Sequence, residues 1–240
     1  MIVPSTEVQN NFGKYLKIAQ ELEDVVITRK GREIAKLVSC VESSIMAEEA
    51  VNYIFNGKGK VTYEEFLELA ENSDLMYEYI DGEVYCLASP TYHHQIAVDN
   101  IYVYLFNFFK KKKCRPLTSP FDVTLVKSRD QKNVVQPDII VICDTEKIDG
   151  KDKYQGVPSL AVEVLSNSSK RKDMIKKLDL YMQTGIKEYW MVDTEKKEVY
   201  VYSFENENIK GYDVYLDERT ILSKAFEGLE IPLKEVFPDA

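Results

Sequence analysis

The first forty residues combine one helical pattern with two strand patterns. Apolar residues recur at helical spacing over 8–22, and Thr6 with Gln9 matches a capping box, with Ser5 as an alternative N-cap. Two β-branched runs, DVVITRKG and REIAKLVSC, then meet at Lys30–Gly31, which is typical of a hairpin turn. The pattern predicts a helix from about residue 6 followed by a β-hairpin.

A polar stretch with two glycines then divides the chain. Residues 45–55 are compatible with a short helix, and NGKGK at 56–60 contains no apolar residue. We therefore predict a module of residues 1–55, a linker of residues 56–61 and a second domain of residues 62–240.

The second domain alternates helical and strand patterns. Thr62 with Glu65 forms another capping box, Asp81–Gly82 is a tight-turn signal, and long helical patterns cover about 92–111 and 168–184. Further strands are predicted at FDVTLVK, VVQPDIIVIC, LAVEVL, EYWMVD, EVYVYSF and DVYL. This order predicts a mixed α/β or α+β domain.

Composition places the chain among globular proteins with one or two domains. Of its 240 residues, 45% are hydrophobic and 30% are charged, and the formal net charge is -9. An acidic balance argues against a protein coated in nucleic acid or bound to an anionic membrane, although a local basic patch remains possible.

The cysteines and the apolar runs bear on the cellular compartment. Cys40, Cys86, Cys114 and Cys143 lie far apart and form no CxxC pair, so we expect reduced thiols and neither a disulfide framework nor a zinc site. No apolar run approaches the roughly 18 residues that a membrane span needs, and the N-terminus lacks signal-peptide features. These patterns predict a soluble cytoplasmic protein.

The N-terminal segment IVPSTEVQNNFGKYLKIAQELEDVVITRKGREIAKLVS resembles the Phd/YefM antitoxin family over about 40 residues. The resemblance implies a dimer that binds operator DNA through a basic surface. Arg29, Lys30 and Arg32 cluster at one turn, as phosphate contacts require. Residues 1–50 nevertheless contain 6 Lys or Arg against 8 Asp or Glu, and a merely solvated basic turn is the alternative.

Two acids in the second domain are candidates for a metal site. Asp138 opens the run DIIVIC, and Glu163 lies inside AVEVL, far enough along the chain for a return on a neighbouring strand. An acid among valines and leucines is costly to bury unpaired, so Glu163 needs a cation or a hydrogen-bond partner. Carboxylates on adjacent strand ends are suitable ligands for a hard divalent cation.

Residues 62–237 resemble the restriction-endonuclease-like Uma2 family, whose core is the PD-(D/E)XK motif. The resemblance rests on YEYIDGEV, SPTYHHQIAV, QPDIIVI, PSLAVEVLSNSSKRKD and KKLDLYMQTGIKEYWMVD. It implies a DNA endonuclease in which Asp138, Glu163 and the carbonyl of Val164 hold Mg²⁺ or Mn²⁺. One departure is that the position of the motif lysine is occupied by Leu165.

The predicted helix at 168–184 supplies a replacement lysine. Asp173, Lys177 and Tyr181 are spaced four residues apart and share one helix face. KLDLY resembles the QxxxY element of related nucleases, which implies that Lys177 faces the metal. An ordinary solvated pair of Asp173 with Lys177 is the alternative.

Three further residues are candidates for the site. Glu78 and Glu83 flank the DG turn and either add an acid or are simply exposed. His94 either contacts a phosphate or has a structural role at the start of a helix. The run KKKKCR at 110–115 either complements a helix C-terminus or contacts the DNA backbone.

These observations predict an α/β (α+β) protein in which a small antitoxin-type helix plus β-hairpin module precedes a restriction-endonuclease-like mixed β-sheet flanked by helices. The preferred function is a magnesium-dependent DNA endonuclease joined to a DNA-binding module that forms a homodimer. A catalytically inactive DNA-binding regulator, which Leu165 suggests, and a single-chain toxin–antitoxin fusion are the alternatives.

Overall fold

The structure is a computed structural model that divides the chain into two compact units, Met1–Ala47 and Glu48–Ala240. The predicted helix at 45–55 and most of the predicted linker lie outside the described residues. The structure describes residues 1–21, 25–37, 60–127, 130–148, 150, 153–166 and 172–237.

The described residues of the N-terminal unit form a three-stranded sheet and two helices. Strand β2 pairs with β1 in parallel and with β3 in an antiparallel hairpin. The elements are β1 Ile2–Pro4, α1 Ser5–Asn10, α2 Phe12–Glu21, β2 Val25–Arg29 and β3 Arg32–Leu37.

The predicted hairpin is confirmed, but the predicted capping box is wrong. Lys30 and Gly31 both have positive φ, 52° and 74°, as a tight turn between twisted strands requires. Helix α1 begins one residue earlier than the pattern indicated, with Pro4 as its N-cap and no side-chain capping bond. Thr6 therefore lies within the helix, where its hydroxyl cannot cap it.

The second unit is a mixed α+β fold, as the sequence predicted. Its elements are α3 Tyr63–Glu71, β4 Tyr77–Ile80, β5 Glu83–Cys86, α4 Tyr92–Phe109, β6 Arg115–Thr118, β7 Val123–Lys127, β8 Gln131–Val135, β9 Ile139–Ile142, a 3-10 turn Thr145–Lys147, β10 Leu160–Leu165, a π-helical segment Lys172–Lys177, α5 Leu178–Thr184, β11 Glu188–Asp193, β12 Glu198–Glu205, β13 Asn208–Tyr215, β14 Thr220–Leu222, β15 Glu230–Pro232 and α6 Leu233–Val236.

The strands of this unit form three sheets. A six-stranded sheet has the order β13-β12-β11-β10-β9-β6, and only its β10–β11 pair is parallel among the described pairings. A four-stranded sheet has the order β5-β4-β8-β7, and β14 pairs with β15. The predicted strand VVQPDIIVIC is divided between two sheets, because Pro137 has no amide to continue a ladder.

The central strands β9, β10 and β11 of the six-stranded sheet are buried on both faces, and this determines where the site lies. Val162 and Val164 of β10 pack in the cluster that contains Ile101 of α4. Ala161 and Leu165 face the opposite cluster with Tyr181 of α5. Because side chains alternate along a strand, Glu163 points toward the face that α5 covers.

Local turn and capping signals in this unit are confirmed. The hydroxyl of Thr62 accepts from the amide of Glu65, whose carboxylate accepts from the amide of Thr62. Asp81–Gly82 forms the β4–β5 turn with positive φ at both residues. Helix α5 ends at Gly185, which adopts the left-handed conformation typical of a C-cap.

The expectation of reduced cysteines is wrong for one pair, because Cys114 and Cys143 form a disulfide. Strands β6 and β9 pair with Arg115 opposite Ile142. Continuing this register by one residue places the two cysteines face to face. The two cysteines are 29 residues apart, and the sequence does not show which residues of β6 and β9 are paired, because long-range packing sets the strand register. The disulfide could therefore not be predicted from the spacing.

Among the described residues, no helix is both long enough and apolar enough to cross a membrane.

Candidate active site

Asp138 directly precedes β9, and Glu163 lies in β10, the antiparallel neighbour of β9. Ile139 pairs with Val162, so the same register places Asp138 opposite Glu163. The carboxylate of Asp138 accepts a hydrogen bond from the amide of Val164 over 2.7 Å. The structure therefore brings together the two acids that the sequence predicted as a pair.

His94 contacts Asp138 from the first turn of α4. Its Nε2 lies 3.3 Å from Asp138 Oδ2, and its buried Nδ1 has no hydrogen-bond partner among the described residues. Burial lowers the pKa of His94, but the hydrogen bond and the charge of Asp138 outweigh burial and raise it. His94 thus contacts Asp138 with a raised pKa, and its contact with a phosphate stays a prediction.

Glu163 is bound by two donors from the helical segment at 172–184. Lys177 Nζ lies 2.7 Å from Glu163 Oε1, and the Tyr181 hydroxyl donates to the same oxygen over 2.7 Å. Lys177 also lies 3.5 Å from Asp173 Oδ1. Lys177 and Tyr181 therefore converge on Glu163, and Asp173 contacts Lys177. The alternative of a solvated pair is wrong, because Asp173 and Lys177 are buried.

Glu78 of β4 completes the buried cluster. Its Oε1 accepts from the amide of Gln136 over 2.9 Å and lies 2.8 Å from Lys177 Nζ. Its Oε2 lies 2.6 Å from Lys172 Nζ. Tyr77 and Tyr79 pack in a separate apolar cluster on one face of the hairpin. Because side chains alternate along a strand, Glu78 points to the opposite face, toward Lys172 and Lys177.

The charges in this cluster shift the pKa of several groups. Burial raises the pKa of Glu163 well above its ordinary value, and the charges of Asp173, Asp138 and Glu78 add to the effect despite Lys177. Burial would also raise the pKa of Glu78, but Lys177 and Lys172 lower it to about 2. The pKa of Lys177 is raised, because the charges of Glu163, Glu78 and Asp173 outweigh burial.

The helix that carries this lysine begins as a π-helix. Residues Lys172–Lys177 form the π-helical segment, and Leu178–Thr184 continue it as α5. The Tyr189 hydroxyl donates to the carbonyl of Asp173 over 3.2 Å. Short π-helical turns are frequent at functional sites, because they alter which side chains share a face.

Other predicted residues lie outside the cluster. Glu83 pairs with Lys176 and Tyr85 rather than with the buried acids. Lys112, in the run after α4, stacks on the ring of Phe108. Arg29, Lys30 and Arg32 belong to the N-terminal unit and are exposed.

Sequence reasoning missed Lys172 and the main-chain amide of Gln136. Lys172 lies in the basic run KRKD, whose composition suggested a solvated surface. The partner of Lys172 is on β4, 94 residues away. The sequence QPD places Gln136 two residues before Asp138, but it does not indicate that the amide of Gln136 binds Glu78.

The donor chemistry of the cluster fits a hard divalent cation. Asp138 and Glu163 provide carboxylate oxygens at neighbouring positions of the sheet, and Glu78 and Asp173 lie nearby with Lys177, Lys172 and His94. Among the described residues, no three His, Cys, Asp or Glu side chains already converge as a metal site. The predicted ligand set, Asp138, Glu163 and the carbonyl of Val164, has only two such side chains and stays a prediction.

Comparison with known proteins identifies relatives of the second unit. A Synechocystis protein (strain ATCC 27184 / PCC 6803 / Kazusa), described only as uncharacterized, is 27% identical over 145 residues, which are 60% of this chain and 74% of the relative. A crystal structure described as a "putative nuclease belonging to DUF820", from Anabaena variabilis ATCC 29413, has a TM-score of 0.60 at 19% identity. The match covers 74% of this chain and 97% of the Anabaena chain, so the two proteins share a fold.

The family model supplies the assignment. The model of the Uma2 family, described as "Putative restriction endonuclease", matches residues 63–234. This match covers well over half of the chain and includes every member of the buried cluster, whereas Met1–Ala47 lies outside it. The chain therefore belongs to the Uma2 family.

Proposed function

We propose that this chain is a divalent-cation-dependent DNA endonuclease. The observation that carries the proposal is that Asp138, which directly precedes β9, is bonded by the amide of Val164 next to Glu163, and that the ammonium of Lys177 lies 2.7 Å from Glu163. Membership of the Uma2 family, whose description is "Putative restriction endonuclease", supports it. Asp138, Glu163 and the carbonyl of Val164 would hold Mg²⁺ or Mn²⁺, and a bound cation would supply an activated water and neutralise phosphate charge.

Lys177 takes the role of the motif lysine in this proposal. Leu165, two residues after Glu163, is buried in the apolar cluster that contains Tyr181. Lys177 reaches the same acid from the helix that covers this face. Because its pKa is raised, Lys177 stays charged at neutral pH, so it would orient water and stabilise developing phosphate charge instead of accepting a proton.

The test compares plasmid cleavage by the full chain in Mg²⁺, in Mn²⁺ and in excess chelator. We expect nicking only with a divalent cation, and we expect Asp138→Asn to reduce the rate at least about 100-fold because a ligand charge is lost. Glu205→Gln, which alters an exposed pair with Lys210, is the control and should keep the wild-type rate.

Two results would contradict the proposal. Cleavage that persists in chelator, or that is equal in Asp138→Asn and wild type, would mean that these acids do not carry the activity. No cleavage by the wild-type chain, together with retained DNA binding, would favour the catalytically inactive regulator.

We further propose that the N-terminal unit binds DNA and mediates a homodimer, in line with its resemblance to the Phd/YefM family. Arg29 and Arg32 are opposite each other across the hairpin, with Lys30 in the turn between them. With Ile34, these residues line a shallow surface pocket. Three exposed cations on one turn suit contacts with successive phosphates.

The test replaces Arg29, Lys30 and Arg32 with alanine in the Asp138→Asn background. Removing three phosphate contacts should weaken DNA binding equally for unrelated sequences and reduce the slope of log K against log salt by about 2 to 3. Fluorescence anisotropy at several salt concentrations measures the slope, and sedimentation of the parent chain measures the dimer. An unchanged slope would refute DNA contact by this turn.

A further inference from the structure

Glu78 has a pattern of contacts that distinguishes it from the two proposed cation ligands. The side chain of Glu78 is 0% exposed, compared with 19% for Asp138 and 5% for Glu163, and the two donors to Glu163, Lys177 and Tyr181, both bind its Oε1. Both oxygens of Glu78 already bind N–H donors: Oε1 contacts Lys177 and the amide of Gln136, and Oε2 contacts Lys172. Glu78 thus lies at the back of the cluster, bonded by three groups of the protein itself.

The π-helical segment explains how one carboxylate binds two lysines from the same helix. Lys172 and Lys177 are five residues apart, and in an α-helix such residues differ by about 140° around the axis. The wider π turn, with bonds from i to i+5, brings residues five apart toward one side. Both ammonium groups consequently lie within 2.8 Å of Glu78 oxygens.

The contacts of Glu78 link the two halves of the site. Its bond to the Gln136 amide fixes the chain two residues before Asp138. Its contact with Lys177 fixes the ammonium that lies against Glu163. With its pKa near 2, Glu78 carries a full charge at neutral pH, as this bridging requires.

We propose that Glu78 is a positioning residue, which holds the Lys177 ammonium against Glu163 and the Gln136–Asp138 segment in place, and that Lys172 is its second counter-ion. Glu78 does not ligate the cation. The activity part of this inference rests on the proposed nuclease function, whereas the structural part does not.

The first experiment compares Glu78→Gln with Glu83→Gln. Glu83 lies on the same hairpin and pairs with a lysine of the same π-helical segment, Lys176, but lies outside the cluster. For Glu78→Gln we expect kcat to fall at least tenfold, with KM and calorimetric Mn²⁺ affinity within threefold of wild type. Glu83→Gln should leave all three within twofold. A tenfold loss of Mn²⁺ affinity in Glu78→Gln would make it a ligand and overturn the inference.

A second experiment measures thermal stability and needs no activity. Glu78→Gln should lower the Tm of the wild-type chain, because the ionised acid bridges two cations. In a Lys177→Met background the same substitution should lower Tm by less than a third as much, or raise it, because it then removes one of several mutually repelling acids. Equal decreases in both backgrounds would overturn the inference. If the wild-type chain does not cleave DNA, the proposed function fails, and strongly non-additive Tm changes with unchanged Mn²⁺ affinity still support positioning.

Discussion

Replacement of Lys177 with methionine is expected to destabilise the fold by about 3–5 kcal/mol near neutral pH and to reduce cleavage at least about 100-fold. The ammonium lies within 3.5 Å of carboxylate oxygens of Glu163, Glu78 and Asp173, and all three side chains are at least nine-tenths buried. Removing the cation leaves these acids facing one another in a region where water cannot screen them. The lost charge also removes the group proposed to stabilise phosphate.

The pH dependence of this loss has a defined sign. Because the pKa of Lys177 is raised in the folded state, its contribution is complete below the unfolded-state pKa and is lost only as pH rises through the higher folded value. In the variant, mutual repulsion raises the pKa values of the remaining acids, which then bind protons as the pH falls. The difference in stability between wild type and variant should therefore be smaller at pH 5 than at pH 8.

Urea unfolding at the two pH values measures this difference, and plasmid cleavage measures the activity. Lys176→Met is the matched control, because Lys176 is the adjacent residue and its side chain is 35% exposed in a pair with Glu83. That exposed pair should contribute less than about 1 kcal/mol. Equal losses of unfolding free energy in Lys177→Met and Lys176→Met would show that the ammonium of Lys177 does not offset the repulsion among the buried acids.

Local patterns predicted most of the secondary structure of the second unit. The capping box at Thr62, the turn at Asp81–Gly82 and the helix end at Gly185 each depend on residues within a few positions. Such features are specified by short-range sterics and hydrogen bonding. A partner for Glu163 could also be anticipated, because an acid within an apolar strand requires a cation or a hydrogen-bond donor, and Lys177 and Tyr181 fill that role.

Contacts that depend on register or on helix placement could not be predicted. Glu78 alternates with tyrosines in β4, and the sequence pattern did not show whether its face is solvated or covered by a helix. Its partners Lys172 and Lys177 come from a segment more than 90 residues later, and only the π turn lets both reach it. The Cys114–Cys143 disulfide was missed for a related reason, because only the β6–β9 register brings the two residues together.

Glu163→Gln is expected to abolish cation-dependent cleavage without destabilising the fold, in contrast to Lys177→Met. The glutamine side chain has the same shape and keeps an oxygen that accepts from Lys177 and Tyr181. The variant loses a charge that burial and the neighbouring acids disfavour, as the raised pKa of Glu163 indicates. Lys177 still has Glu78 and Asp173 as counter-ions, so no buried cation is left unpaired.

The sign of the pH effect follows from the raised pKa of Glu163. Below the unfolded-state pKa, near 4.3, Glu163 is protonated in both the folded and the unfolded state. Its ionisation then does not change the free energy of unfolding. As pH rises above that value the unfolded chain ionises first, so a penalty for folding accumulates until the folded-state pKa is reached. Glu163→Gln lacks this penalty, and its stability relative to wild type should increase between pH 4 and neutrality.

The matched control is Glu188→Gln, the same substitution at another buried acid of the same sheet. Glu188 accepts from the Trp190 indole, the Ser223 hydroxyl and the amides of Lys224 and Ala225. A glutamine there directs an NH₂ group at these donors, so a loss of about 1–3 kcal/mol is expected. Urea unfolding from pH 4 to pH 8 distinguishes the two cases. A comparable loss for Glu163→Gln would mean that Glu163 stabilises the fold as an ordinary buried ion pair and is not a charge retained for cation binding at a cost in stability.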